Sequence, residues 1–389
     1  MANTKARRAL IATHTLVDFA GSEIFTLELA IELRAMGWEI WVAAFLSGEP
    51  MASEFEKRKF QILDILTPDS ALSNAQFDLA WIHHSPVFYE LFMTHKIEAA
   101  MVVFCSLSPF EPLEAIPAHR ENLDLLLANS IENRNFIAQE FGLNRDQVVV
   151  FPNAVPNVYW NYLKEFHSPV LKSIAIVSNH PPPEALAAAA ILEGNGVAVT
   201  HIGRGGMQML MAPTHLLNYD AIITIGKTVP YCFALKVPVY CYDHFGGPGW
   251  LNEDNFDLAN QNNFSGRGFF KKTPEDIAHE LAHGYRESIR RLDVYRNHAM
   301  NKRNLGKNLE LLLSQPRMPM PKQLNITDSK ETLTHHAQYM RLAKILRARE
   351  AELGICKKEV SRVKSTLSWH LTSPFRIVYN FVRHMMGLR

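Results

Sequence analysis

Residues 9–45 place a short apolar run, a polar turn with a glycine, an apolar-striped segment and a second apolar run in immediate succession. Residues 9–13 (ALIAT) read as a buried strand, and Asp18-Phe19-Ala20-Gly21-Ser22-Glu23 reads as a turn. From about residue 23 to 36, Ile24, Leu27, Ala30, Ile31 and Leu33 recur near helical spacing. Gly37 closes that helix, and residues 38–45 form a second strand. Strand, glycine turn, helix, strand is a βαβ unit, which commits the chain to a parallel, doubly wound α/β sheet.

The pattern continues with strands expected at 78–82, 100–105, 123–128 and 148–151, and a helix near 131–141. Pro152-Asn153-Ala154-Val155-Pro156 reads as a turn and hinge. A second sheet is expected from strands at 173–177, 197–202, 221–225 and 237–242, with an alanine-rich helix from 183 and another from 274 to 291. At 389 residues the chain is too long for one ordinary domain. The expected division is 1–165 and 166–314 as two Rossmann-like domains, then 315–389 as a linker (QPRMPMPKQ) and a basic helical tail.

Charge is distributed unevenly. Residues 1–285 carry a net −12 and residues 286–389 a net +13, for +1 over the chain. This points the basic tail either toward an anionic surface or onto the acidic body, whose charge it would neutralise, and gives no reason to expect a nucleic-acid partner. Cys105, Cys232, Cys241 and Cys356 have neither metal-site nor redox spacing, which favours a reducing compartment. The start, KARRALIATHTL, has the charge-then-apolar order of a signal peptide, but His14 interrupts it and an amphipathic segment follows, so it is read as a strand. No stretch reaches the roughly 18 apolar residues of a membrane span.

Ligands of open α/β sheets bind beyond the carboxyl ends of strands, so the residues that follow each strand are the site candidates. Gly21, Ser22 and Glu23 open a helix whose free N–H groups attract anionic or hydroxyl-rich ligands. Gly226-Lys227-Thr228 would present N–H groups, a cation and a hydroxyl to a diphosphate; Ala221 stands where a P-loop needs its first glycine. His244, Gly246, Gly247 and Gly249 form a glycine-rich loop, with Arg267 a nearby phosphate partner. Ser178 and Asn179 after the first strand of the second half, with His14, His83 and His84, are candidates for binding acceptor hydroxyls or taking a proton. His279-Glu280-Leu281-Ala282-His283 matches H-E-x-x-H, but no third histidine follows at the extended spacing and the surrounding pattern is doubly wound. A zinc metallohydrolase using His279, Glu280 and His283 is therefore a minor alternative.

The start ALIATHTLVDFAGSEIFTLELAIELRAMGWEIWVAA, the segment LLLANSIENRNFIAQEFGL…VVVFPNAV and the strand ALKVPVYCYD together resemble family-four glycosyltransferases, in a bacterial polysaccharide-associated branch. The resemblance covers most of residues 9–300 and implies the two-lobed GT-B fold, here followed by a helical extension, with an acceptor on the first lobe and a nucleotide-sugar on the second, where Ser178, Asn179, His201 and Gly203 would bind the donor. It also implies no resident cofactor and no essential metal. The retaining members carry two spaced glutamates before the Pro-Val strand; the same places here hold Tyr231 and Ile223, so retaining stereochemistry does not carry over. That departure keeps open a second alternative, a GT-B scaffold without transferase activity. The segment STLSWHLTSPFR and the apolar, arginine-bearing FRIVYNFVRHMMGLR resemble the ends of some bacterial polysaccharide enzymes. They suggest a cytoplasmic enzyme, peripheral on the inner membrane face, acting on a glycan or lipid-linked acceptor.

Overall fold

The structure, a computed structural model, describes residues 6–67, 70–314, 322–324 and 330–371. It forms two compact units, Met1–Thr327 and Asp328–Arg389. The run 375–389, expected to touch a membrane, lies outside the described residues.

The first sheet is built from β1 (Arg8–Leu16), β2 (Glu39–Ser47), β3 (Ile62–Asp64), β4 (Gln76–Ile82), β5 (Glu98–Ser106), β6 (Leu125–Ala128) and β7 (Val149–Val150). These seven strands are parallel in the order β3-β2-β1-β4-β5-β6-β7. The helices between them are α1 (Gly21–Ala35), α2 (Met51–Lys57), α3 (Ser85–Tyr89) and α4 (Ile131–Glu140). Helix α1 lays Phe25, Leu29 and Leu33 against Ala9, Ile11, Leu79 and Trp81 of the sheet. It ends at Gly37, whose φ of 86° is the left-handed conformation a helix exit needs. Helix α4 starts at Ser130, whose hydroxyl accepts the Asn133 N–H at 3.0 Å.

The second sheet holds β8 (Ser173–Val177), β9 (Ala198–Ile202), β10 (Ala221–Thr224), β11 (Val239–Asp243) and β12 (Gly246–Trp250), in the order β12-β11-β10-β8-β9. Only β12 is antiparallel. The helices here are α5 (Pro183–Gly194), α6 (Pro213–Leu216), α7 (Thr228–Leu235), α8 (Phe256–Gln261), α9 (Pro274–Ile289) and α10 (Leu292–Lys302). Ala185, Ala188 and Leu192 of α5 and Ile277 and Leu281 of α9 cover one face. Val229, Phe233 and Leu235 of α7 and Tyr295 and Ala299 of α10 cover the other. Both sheets therefore have the doubly wound arrangement expected from the sequence.

The chain crosses between lobes twice, side by side. Val155 N–H donates to Arg303 O and Leu305 N–H to Val155 O, while Arg303 Nη1 donates to Asn153 O at 2.9 Å. After this crossing, α11 (Leu305–Leu312) places Leu305, Leu309 and Leu313 in the core of the first lobe. Residues 305–313 thus complete the first lobe, although the sequence assigns them to the second. Farther on, β13 (Lys322–Gln323) pairs antiparallel with β5. The second unit contains α12 (Lys330–Lys364) and α13 (Leu367–Leu371), matching the helix expected over 331–364. No described helix is long and apolar enough to cross a membrane.

If α11 is part of the first-lobe core, Leu309→Ala lowers stability by about 2–5 kcal/mol, the usual cost of emptying a buried leucine site. The exposed neighbour variant Leu311→Ala changes it by less than about 0.5 kcal/mol. Urea denaturation of the two variants checks both.

Candidate functional site

A parallel sheet opens a crevice where its strand order reverses, beyond the carboxyl ends of the two strands concerned. In the second sheet that point lies between β8 and β10, and in the first between β1 and β4. A cavity of about 420 Å³ lies between the lobes and is lined from both sides. Asp18, Phe19, Gly21 and Ile24 follow β1; Ser178, Asn179 and His180 follow β8; Ile225, Gly226, Lys227 and Thr228 follow β10. Gly203, Arg204, Tyr231, Asp243, His244, Asn129, Asn153 and Asn263 also line it.

The β10–α7 junction aims the start of a helix at this space. Helix α7 has no side-chain cap, and its cap residue is Lys227. Lys227 Nζ pairs with Glu28 Oε2 of α1 at 2.5 Å, both side chains about one-tenth exposed. Tyr231 OH donates to Glu28 Oε1. The ammonium also lies 4.8 Å from the Phe25 ring. Burial raises the Glu28 pKa, and the Lys227 charge and the hydrogen bonds from Lys227 and Tyr231 oppose that rise. Tyr231, which occupies one of the missing glutamate places, therefore takes its carboxylate partner from the opposite lobe. Ile223, at the other place, is buried in β10.

More polar contacts join the lobes around the cavity. Asn179 Nδ2 donates to Phe19 O at 3.0 Å, and its Oδ1 accepts Arg204 N–H at 3.1 Å. Asn153 Nδ2 donates to Asn263 Oδ1 at 2.8 Å, and Asn157 donates to both oxygens of Glu32. Asp18, Asn153, Asn263 and Glu28 were not among the site residues expected from the sequence. The first three sit in turn segments already singled out or beside them, whereas Glu28 is a helix glutamate with nothing in its sequence setting to mark it.

Of the residues expected at the site, Gly21, Ser178, Asn179, Gly203, Gly226, Lys227, Thr228 and His244 line the cavity. Gly203 has φ 137°, and a Cβ there would collide with Ser178 O, so glycine is required for these two loops to meet. Ser22 and Glu23 turn away from the lining: Glu23 accepts from Thr15 Oγ1 at 3.0 Å and Ser22 Oγ at 2.9 Å. His201 Nε2 contacts Ser178 O at 2.9 Å and braces the loop rather than lining the space.

The glycine run after β11 is not a ligand loop. Gly246, Gly247 and Gly249 belong to strand β12. A Cβ at 246 would strike Phe270 O, one at 247 would strike Cys241 O, and one at 249 would crowd Glu280 and Lys272. Close backbone packing explains these glycines. Arg267 is likewise committed elsewhere: its Nε and Nη2 each reach a Glu132 oxygen at 2.5 Å, a bidentate strut to the first lobe.

The histidines stand at the carboxyl ends of β1 and β4, outside the cavity lining. His83 is fully buried, its Nδ1 is 3.1 Å from Cys105 O, and burial pushes its pKa down to about 4. His84 Nδ1 accepts the His14 N–H at 3.1 Å, and burial holds His84 well below its usual value. Burial lowers His14 as well. All three are neutral at pH 7 and pack on one another and on Phe25 and Phe45.

The H-E-x-x-H helix does not present its three groups to one ion. Glu280 is held by Lys272 Nζ at 2.6 Å and Tyr240 OH at 2.7 Å, and the His279 and His283 rings stack with centroids 4.1 Å apart. Among the described residues no group of three or more His, Cys, Asp or Glu is arranged to hold a metal ion.

Removing Lys227 alone strands a buried carboxylate. Lys227→Met is therefore expected to cost about 3–5 kcal/mol, and Glu28→Gln/Lys227→Met to recover most of that loss. Urea denaturation of wild type and both variants checks this; equal losses would mean that the pair does not sustain the interface.

A second test uses pH. Glu114 Oε2 accepts the Leu107 and Ser108 N–H groups, yet burial pushes its pKa up to about 8. The folded chain then keeps a proton that the unfolded chain has released, so stability falls as pH rises from about 5 to 8, by up to ~1.4 kcal/mol per unit. Neutral His83 acts with opposite sign below its unfolded value of 6.5, so the comparison is with Glu114→Gln, which removes the Glu114 slope. Urea midpoints at pH 5, 6.5 and 8 report it.

No protein-family model and no curated protein matches the sequence. Solved structures do match in shape. TarM superposes with TM-score 0.52 at 9% identity, over 81% of this chain and 99% of that one. An α-glucosyltransferase, solved with UDP and a 13-mer DNA containing an HMU base, superposes with TM-score 0.51 at 12% identity, over 80% and 99%. Likeness at these identities is likeness of fold: the two sheets and their helices have the two-lobed GT-B architecture, with the cavity described above between the lobes.

Proposed function

We propose that this chain is a glycosyltransferase that takes a sugar from a nucleoside-diphosphate donor and passes it to a glycan or lipid-linked glycan precursor, acting in the cytoplasm at a membrane surface. The observation that carries the proposal is the uncapped start of α7, with Lys227 and Thr228, opening into the interlobe cavity at the second sheet's switch point. The cavity's volume falls in the roughly 300–1,000 Å³ range of small-molecule sites. A fold hosts many activities, so the reaction is argued from these residues. The α-glucosyltransferase of the same fold was solved with UDP, which supports a nucleotide-linked donor.

In this reading the diphosphate sits against the α7 amides and the Thr228 hydroxyl. The α7 N–H groups and helix dipole meet negative charge as the sugar–phosphate bond breaks, while Lys227, paired with Glu28, holds that helix start against α1. No resident metal is needed for that step. Ser178, Asn179 and Gly203 flank the nucleoside, and the first-lobe turn 18–21 bounds the acceptor side. One observation favours a second reading, a donor-binding scaffold without transfer activity: Tyr231 and Ile223 stand in the glutamate places, and none of His14, His83 and His84 lines the cavity.

Melting the protein with UDP, GDP, TDP and CDP tests the site. One diphosphate is expected to raise the melting temperature, as a ligand at 100 times its Kd adds about 2.7 kcal/mol. Thr228→Val and the Glu28→Gln/Lys227→Met pair should shrink the shift. If no nucleotide moves the wild-type transition, the reading fails. Binding without transfer or hydrolysis of the matching nucleotide-sugar selects the scaffold.

A further inference from the structure

Helix α12 carries an apolar seam of heptad spacing. Tyr339, Leu342, Leu346, Arg349, Leu353, Cys356, Val360 and Val363 alternate by three and four residues, the a and d positions of a heptad repeat. Only Arg349 among them is charged. Leu342, Leu346, Leu353, Val360 and Val363 are all about half-exposed or more, and Cys356 is exposed. The opposite face holds Arg341, Lys344, Arg347, Lys358 and Arg362. A helix about 50 Å long with one apolar stripe of period 3.5 gains its stability by burying that stripe against another helix.

The charges beside the seam identify that helix. In this register Glu352 and Glu359 occupy g positions, and the sequence places Lys357 and Lys364 at the e positions that follow each by five residues. In a parallel pair of identical helices, g of one faces the next e of the other, so each glutamate meets a lysine. In an antiparallel pair g faces g and e faces e, which sets Glu352 and Glu359 against each other and leaves Glu350, the e residue one heptad before Lys357, as the one acidic partner for the e-position lysines. We propose that the chain self-associates through α12 as a parallel two-stranded coiled coil, with a second copy of itself as the partner. Arg349, polar at a d position, fixes the register at some loss of stability. Cys356, also at d, then comes opposite its own copy across the two-fold axis. The inference is independent of the transferase reading.

Light scattering on the full chain is expected to give twice the 44.2 kDa chain mass. Mild copper-phenanthroline oxidation should yield a disulfide-linked dimer that Cys356→Ser abolishes, because Cys105, Cys232 and Cys241 are buried. Leu346→Lys/Leu353→Lys should halve the mass while leaving the melting of the body in place. Glu352→Lys/Glu359→Lys should also be monomeric, and mixing it with Lys357→Glu/Lys364→Glu should restore a one-to-one dimer. A chain mass of 44.2 kDa at micromolar concentration overturns the proposal. So does a dimer that survives the leucine substitutions, or one that fails to cross-link at Cys356, which would indicate another surface or an antiparallel pair.

Discussion

Lys227 begins α7 on the second lobe and ends its side chain on Glu28, in the middle of α1 on the first. Two ions brought this far out of water each carry a desolvation cost of several kcal/mol, which their mutual attraction offsets only when the geometry is held tightly. Here Tyr231 OH supplies the remaining hydrogen bond to the carboxylate, and Phe25 covers one side of the ammonium. The contact therefore fixes which turn of α1 meets which turn of α7. That registry sets the distance between the β1–α1 turn and the β10–α7 junction, and so the width of the cavity between them.

The peripheral struts are of a different kind. Arg204 and Asp18 pair at 3.0 Å in the open, where solvent screens most of the gain. Arg267 and Glu132 form a bidentate pair that is partly shielded, with Phe110 and Phe245 flanking the guanidinium. Together with the paired crossings at Val155 and Arg303, they hold the lobes at several points around the cavity rim. The central pair gives registry and the rim pairs resist twist.

Much of the fold was legible because most of the parallel strands carry a short apolar run and some helices carry a stop signal, as at Gly37; the three-residue β3 was too short to mark itself. The placement of Gly226, Lys227 and Thr228 on the cavity was legible from chain order: they directly follow an apolar strand, where ligands of open sheets gather. Residues whose role is set by a distant partner could not be read this way. Glu28 looks like any helix-surface glutamate until Lys227, 199 positions later, is placed on it. Arg267 suggested a phosphate because Glu132 belongs to another lobe. The glycines at 246–249 were misread for a related reason. Glycine marks close backbone approach, and the sequence does not say whether a ligand or another strand does the approaching. His83 and His84 follow a strand, as catalytic groups often do, but the end of β4 is buried by its neighbours.

Strand β12 closes one margin of the second sheet, and its make-up, GGPGW, has a consequence for the molecule in a crowded solution. An open sheet border is a template on which a stranger's backbone can lengthen the ladder. Pro248 has no N–H to offer such a visitor, and glycines on both sides give it no side-chain surface to grip. The sheet thus ends on a strand that pairs inward with β11 and is a poor template outward, protecting the second lobe from growing into aggregates along its own hydrogen-bonding direction.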